Sequence, residues 1–153
     1  MLKIGDQAPA FTLMNTDKKE ISLSNFAGKN LIIHFFPLAF TGVCTTQLCT
    51  ARDNMNVYKS LNAEVVAISV DSVFTLEEFK KQQNFNFDVL SDFNKTASAA
   101  YDALYEVFPF AAMQGVSKRA AFVVGADGAL KYAEICATPG DLPDFTAIKA
   151  SLA

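Results

Sequence analysis

A chain of 153 residues, 51% of them apolar, is long enough to bury the core of one ordinary domain. Charged residues at 19% are too many for a membrane bundle and too few for a disordered tail. The net charge of -3 leaves no electrostatic footprint for nucleic acid or an anionic membrane.

The N-terminus, "MLKIGDQAPAF", lacks the apolar core of a secretion signal, so the expected location is a bacterial-type cytoplasm. Three cysteines, an odd number, point to free or catalytic thiols rather than a disulfide framework. No repeat, linker or low-complexity segment interrupts residues 1–153, which read as a single domain.

"FTLMNTDKKEISLSN" pairs two short apolar segments around a polar turn and predicts an N-terminal hairpin. Asn30 to Phe36 is a continuous apolar run, expected to form a strand buried on both faces. From Cys44 the period changes: Cys44, Leu48, Ala51, Met55 and Tyr58 lie on one face of a helix that Cys44 opens. Glu64 to Val70 is a second buried strand, and Thr75-Leu76-Glu77-Glu78 reads as a capping box that starts a helix. "FDVLSD" is a short strand, and Lys95 to Tyr105 is a helical stretch. "AAFVVGADGALKYAEIC" forms a hairpin turning at Ala126-Asp127-Gly128, and Asp141 to Leu152 closes the chain as a helix. The alternation implies an α/β fold with a central mixed sheet flanked by helices.

The stretch "FFPLAFTGVCTTQLC" combines residue types suited to thiol chemistry. An ordinary thiol is only a few per cent ionised at neutral pH. In the first turn of a helix, unpaired backbone N–H groups and the helix dipole favour an anion at Cys44. Ionisation alone gives a limited gain, because nucleophilicity falls with pKa, so groups that stabilise the transition state are also needed. Thr41, three residues upstream, has a hydroxyl able to bridge the sulfur and a substrate oxygen. Pro37 has no N–H and a fixed φ, and can shield the thiolate. Gly42 permits close backbone approach, and Val43 is a further supporting residue of the loop. The plain alternative is a buried cysteine near turn-forming residues.

Pro37, Thr41 and Cys44 make P-x-x-x-T-x-x-C, and the stretch strongly resembles the active-site loop of peroxiredoxins. "IGDQAPAFTL", "AEVVAISVDS", "VSKRAAFVVGADG" and "TPGDLPDF" extend the resemblance over nearly the whole chain. The last is similar to the alkyl hydroperoxide reductase E and bacterioferritin-comigratory-protein-like members. The resemblance implies a thioredoxin fold and thiol-dependent reduction of hydroperoxides with no metal or organic cofactor. It implies that Cys44 is the peroxidatic cysteine, that Thr41 positions the peroxide and that Pro37 shields the sulfenate. Arg119 would activate the thiol and hold the oxygens. The implied partners are a hydroperoxide and thioredoxin, glutaredoxin or another low-molecular-weight thiol, with a monomer or homodimer as the assembly.

Gln47 stands where many members carry glutamate; it either orients Arg119 without a charge or is a solvated helix residue. Arg52 is either a second cation of the site or a salt-bridge partner on its helix. "YEVFPFAAMQGVSKR" walls a pocket, covers a dimer contact or packs on the core. Cys49 follows Cys44 by five residues, so on one helix their Cα atoms stand about 8 Å apart and their side chains diverge by about 140°. A disulfide would require the helix to unwind. The C-x4-C spacing resembles that of comigratory-protein-like members, which implies a resolving role; the alternative is a small packed residue. Cys136, at the end of the last strand, is a second and weaker resolving candidate, with a core or edge position as its plain reading.

Other chemistries fit less well. A cysteine phosphatase needs C-x5-R, a zinc site needs four closely spaced ligands, and a hydrolase would need His34, which falls mid-strand as a satisfied core histidine would. The rival outside enzymes is a thioredoxin-fold redox-binding protein or holdase, which has no need of Thr41 and Arg119.

Overall fold

The computed structural model describes residues 1–153. Seven strands form one sheet in the order β2-β1-β5-β4-β3-β6-β7. They are β1 (Thr12–Asn15), β2 (Glu20–Ser22), β3 (Asn30–Phe35), β4 (Ala63–Ser69), β5 (Asp88–Ser91), β6 (Ala120–Val124) and β7 (Leu130–Ile135). β3, β4 and β5 run parallel, and the outer pairings are antiparallel, so the sheet is mixed as expected. The helices are α1 (Gly42–Asp53), α2 (Met55–Ser60), α3 (Val73–Gln83), α4 (Thr96–Ala100) and α5 (Phe145–Ser151). The predicted N-terminal hairpin is β1 with β2. No helix is long and apolar enough to cross a membrane.

The pleat of β3 explains its unbroken apolar run. Ile32 and Phe36 face a core shared with Cys44, Leu48, Ala51, Leu76 and Phe79. Leu31, Ile33 and Phe35 face the opposite core, with Val66, Ile68, Tyr101 and Phe122. Phe79 is fully buried and meets Phe36, Phe40 and Phe85. Truncating such a side chain to alanine costs about 3–5 kcal/mol.

Several boundaries differ from expectation. The face made by Cys44, Leu48, Ala51, Met55 and Tyr58 is buried throughout. The helix nevertheless breaks at Asn54 (φ −103°, ψ 5°), whose side chain donates to the Thr50 carbonyl at 2.7 Å. A short amide side chain competes with the helical ladder in this way. Helix α3 starts earlier than the Thr75 capping box implied: Ser72 is the N-cap, and its hydroxyl accepts from Thr75 N–H at 3.2 Å. The stretch Lys95–Tyr105 yields only the single turn of α4, because the chain turns away at Asp102 (φ 55°). The last helix begins at Phe145 rather than Asp141, capped by the Asp144 carboxylate accepting from Ala147 N–H.

Candidate active site

One register relationship assembles the site. β3 pairs with β6 so that Phe35 lies opposite Ala120. The exit of β3 toward Pro37 therefore lies beside the entry of β6 from Arg119. Pro37 is buried at the end of β3, and the chain crosses Leu38–Phe40 before α1 begins. Thr41 holds the N-cap position with extended backbone (φ −109°, ψ 153°) but caps nothing with its side chain. The first-turn N–H groups are thus left to the site. Cys44 is the third residue of α1 and is 1% exposed.

Arg119 reaches this thiol. Its Nη1 donates to Cys44 Sγ at 3.2 Å and to Gln47 Oε1 at 2.9 Å. Its Nε and Nη2 both donate to the Pro139 carbonyl, at 3.2 and 2.8 Å. The guanidinium is buried and takes part in none of the ion pairs of the molecule. A buried cation without a carboxylate needs another compensating charge. The sulfur it touches is the group able to carry one. Of the five N–H donors of a guanidinium, these contacts occupy four, so one Nη2 hydrogen is left without a protein acceptor.

Gln47 is fully buried, which excludes the solvated reading. Its Nε2 lies 3.1 Å from His34 Nδ1 and 3.3 Å from the Phe35 carbonyl. His34 is buried as expected of a strand residue, but it is not satisfied: its Nε2 has no partner. Burial lowers the His34 pKa to about 4, so the ring is neutral at physiological pH.

The Thr41 hydroxyl is exposed and donates to the Leu38 carbonyl at 2.8 Å. Its proton is therefore engaged within its own loop, while its lone pairs stay open. Gly42 is not needed for close approach: a Cβ there would meet nothing, and its φ is ordinary. Val43 is half-buried beside it. Arg52 is not a second cation of the site. Its Nε donates to Asp53 at 2.9 Å and its Nη1 to the Gln83 carbonyl, because its position on α1 turns it toward the end of α3. The segment 105–119 is divided: Val107 and Phe110 are exposed where the loop runs over the surface, whereas Val116, Ser117 and Arg119 are buried as it enters β6.

All three cysteines are free. Cys44 and Cys49 lie on one unbroken helix, with Cys49 half-buried and its thiol 3.6 Å from Gln83 Oε1. The Cys136 N–H donates to the Arg119 carbonyl at 2.9 Å, but its thiol is buried. Burial, and then the nearby Glu134, push the Cys136 pKa up to about 11.

Sequence reasoning missed three supports. The Pro139 carbonyl, a backbone group with no signature, holds Arg119. The Asp71 carboxylate accepts from Ala39 N–H at 2.8 Å and from the Ser69 hydroxyl at 2.6 Å, tying the Cys44 loop to the end of β4. The third is the link between His34 and Gln47.

A helix-start thiol beside a buried arginine, on a mixed sheet with helices on both faces, defines a thioredoxin-fold thiol enzyme. The family model described as "AhpC/TSA family" matches residues 4–133. The chain belongs to this family and is a peroxiredoxin, a thiol-dependent peroxidase. It is 36% identical over 147 residues to alkyl hydroperoxide reductase E of Mycobacterium tuberculosis, covering 94% of this chain and 92% of that protein. It is 45% identical over 91 residues to a Haemophilus influenzae protein named as peroxiredoxin bcp, a match spanning 60% of this chain and 59% of that one. The crystal structure of a peroxiredoxin-like protein from Aquifex aeolicus superposes with a TM-score of 0.88 at 24% identity, covering 99% of this chain and 86% of that one. At that identity the likeness concerns the fold.

Proposed function

We propose that this chain reduces hydrogen peroxide and organic hydroperoxides through Cys44. The observation that carries the reading is Arg119 Nη1 at 3.2 Å from Cys44 Sγ, with no carboxylate competing for the guanidinium. The thiolate attacks the terminal peroxide oxygen. The O–O bond breaks, the sulfur is oxidised to sulfenic acid, and the leaving oxygen takes up a proton as water or alcohol. Charge moves from sulfur to the leaving oxygen, and the unengaged Nη2 hydrogen of Arg119 suits that oxygen. Thr41 accepts from the peroxide O–H through its open lone pairs while its own proton stays on Leu38. Pro37 covers the sulfenate.

Cys49 then resolves Cys44. Its thiol displaces water from the sulfenic acid, giving a disulfide, once the first turns of α1 have opened. Thioredoxin, glutaredoxin or a small thiol reduces the disulfide in a cytoplasmic setting. Cys136 is a core residue, because a buried thiol titrating at about 11 supplies little thiolate.

The test mixes the reduced protein with one equivalent of hydrogen peroxide in the presence of dimedone. Rapid adduct formation at Cys44 is the expected result. A protein that consumes no peroxide yet binds unfolded chains or redox partners would be a holdase or redox-binding module instead.

A further inference from the structure

We infer that His34 is a positioning residue of the site: through Gln47 it fixes the hydrogen bond that supports the Arg119 guanidinium beside Cys44. The inference rests on the reading of Cys44 as the reactive thiol.

The proton assignments follow from donor and acceptor chemistry. A guanidinium can only donate, so the Gln47 atom 2.9 Å from Arg119 Nη1 is the amide oxygen. The amide nitrogen then faces His34 Nδ1 at 3.1 Å and the Phe35 carbonyl at 3.3 Å. An amide nitrogen can only donate, so His34 Nδ1 must present a lone pair. The imidazole is therefore neutral, with its proton on Nε2. That Nε2 is the one buried side-chain nitrogen or oxygen atom of the molecule with no partner.

An unpartnered buried N–H lowers stability, and an apolar side chain at this position would avoid it. Most of the strand is already apolar, with Leu31, Ile32, Ile33 and Phe35 around His34. What imidazole adds is the Nδ1 lone pair. Without it the amide of Gln47 is held by the longer bond to Phe35 alone. It can then rotate and turn its NH2 toward Arg119, donor against donor. The chain His34–Gln47–Arg119–Cys44 is buried at every member, so bulk water is not at hand to replace a lost contact.

The test uses the whole reduced protein and two readouts: the thiolate titration of Cys44 by absorbance near 240 nm, and the rate of Cys44 oxidation by peroxide in a single turnover. His34→Leu should move the titration to higher pH and slow oxidation about three- to tenfold. His34→Asn, which offers a carbonyl oxygen near the Nδ1 position, should recover most of both. In a Gln47→Leu background, His34→Leu should change neither. A His34→Leu protein within about twofold of the parent on both readouts overturns the inference. So does an undiminished loss in the Gln47→Leu background. If His34→Leu does not fold, nitrogen NMR of the parent protein still decides: Nδ1 must be the unprotonated nitrogen, and a proton found there overturns the inference. Should Cys44 not be the peroxide-reactive residue, the parent itself shows no Cys44 oxidation, while the titration arm still reads His34.

Discussion

Cys44 and Arg119 are 75 residues apart in sequence, and their side chains meet at 3.2 Å. The contact exists because β3 and β6 are neighbours in the sheet, although β4 and β5 separate them along the chain. Cys44→Ser should retain the fold, since a hydroxyl replaces a thiol of similar size. Peroxide consumption should fall to at most about a few per cent of the parent rate. Residual turnover well above that in a coupled assay would place the chemistry on another residue.

Arg119→Lys keeps the charge and loses the fork. Lysine cannot hold Sγ, Gln47 and the Pro139 carbonyl together, as the guanidinium does. The oxidation rate should fall by about 100-fold or more, and by more than the shift in thiolate titration explains. Stopped-flow rates at several pH values separate the two effects. A loss fully accounted for by ionisation would exclude transition-state positioning by Arg119.

Cys49→Ser should leave the first oxidation step intact and remove the intramolecular disulfide. Under excess peroxide its Cys44 should pass to sulfinic acid faster than in the parent, because the sulfenate waits longer. Mass spectrometry of the oxidised parent should yield a Cys44–Cys49 peptide. Equal over-oxidation and no such peptide would make this a one-cysteine enzyme using an external thiol.

The buried imidazole makes an acid-stability prediction. His34 has a folded pKa of about 4 against an ordinary 6.5, so the unfolded chain binds a proton that the folded chain refuses. Stability is complete above pH 6.5 and falls as pH drops from about 6.5 toward 4, by about 3 kcal/mol from this residue. Urea unfolding of the parent and of His34→Leu measures it. The variant should lose clearly less stability over that interval; parallel curves would show that other groups dominate acid sensitivity.

Cys136 should be the least reactive thiol of the three. With its pKa raised to about 11 by burial and by Glu134, it should resist iodoacetamide at pH 8, while half-buried Cys49 reacts. Labelling followed by peptide mapping checks the order, and prompt labelling of Cys136 in the folded protein would contradict its core position.

What could be read from the sequence depended on how far each contact reaches along the chain. β3 was legible because the apolar run Asn30–Phe36 is itself the buried strand. Cys44 at a helix start was legible from a change of period over a few residues. The break at Asn54 was not, because Met55 and Tyr58 continue the apolar spacing and the interruption comes from a side-chain-to-carbonyl bond. Arg119 entered only through resemblance, since nothing local to it announces a partner in α1. The pairing of His34 with Gln47 joins a strand to the helix lying over it, which linear spacing does not encode.

That break at Asn54 has a mechanical consequence. The buried side chains of α1 are Cys44, Gln47, Leu48 and Ala51, whereas Met55 and Tyr58 belong to α2, which lies against β4. Melting of α1 can therefore stop at Asn54 and spare the anchor beyond it. Backbone amides on the two sides should exchange with solvent as separate classes, the twelve residues of α1 opening at lower cost than α2. Oxidation would then act on the surface as well as on the sulfur. Leu48, fully buried here, would become accessible if Cys49 crossed to Cys44 as proposed, and a reductant could then recognise the spent enzyme by shape before touching the disulfide.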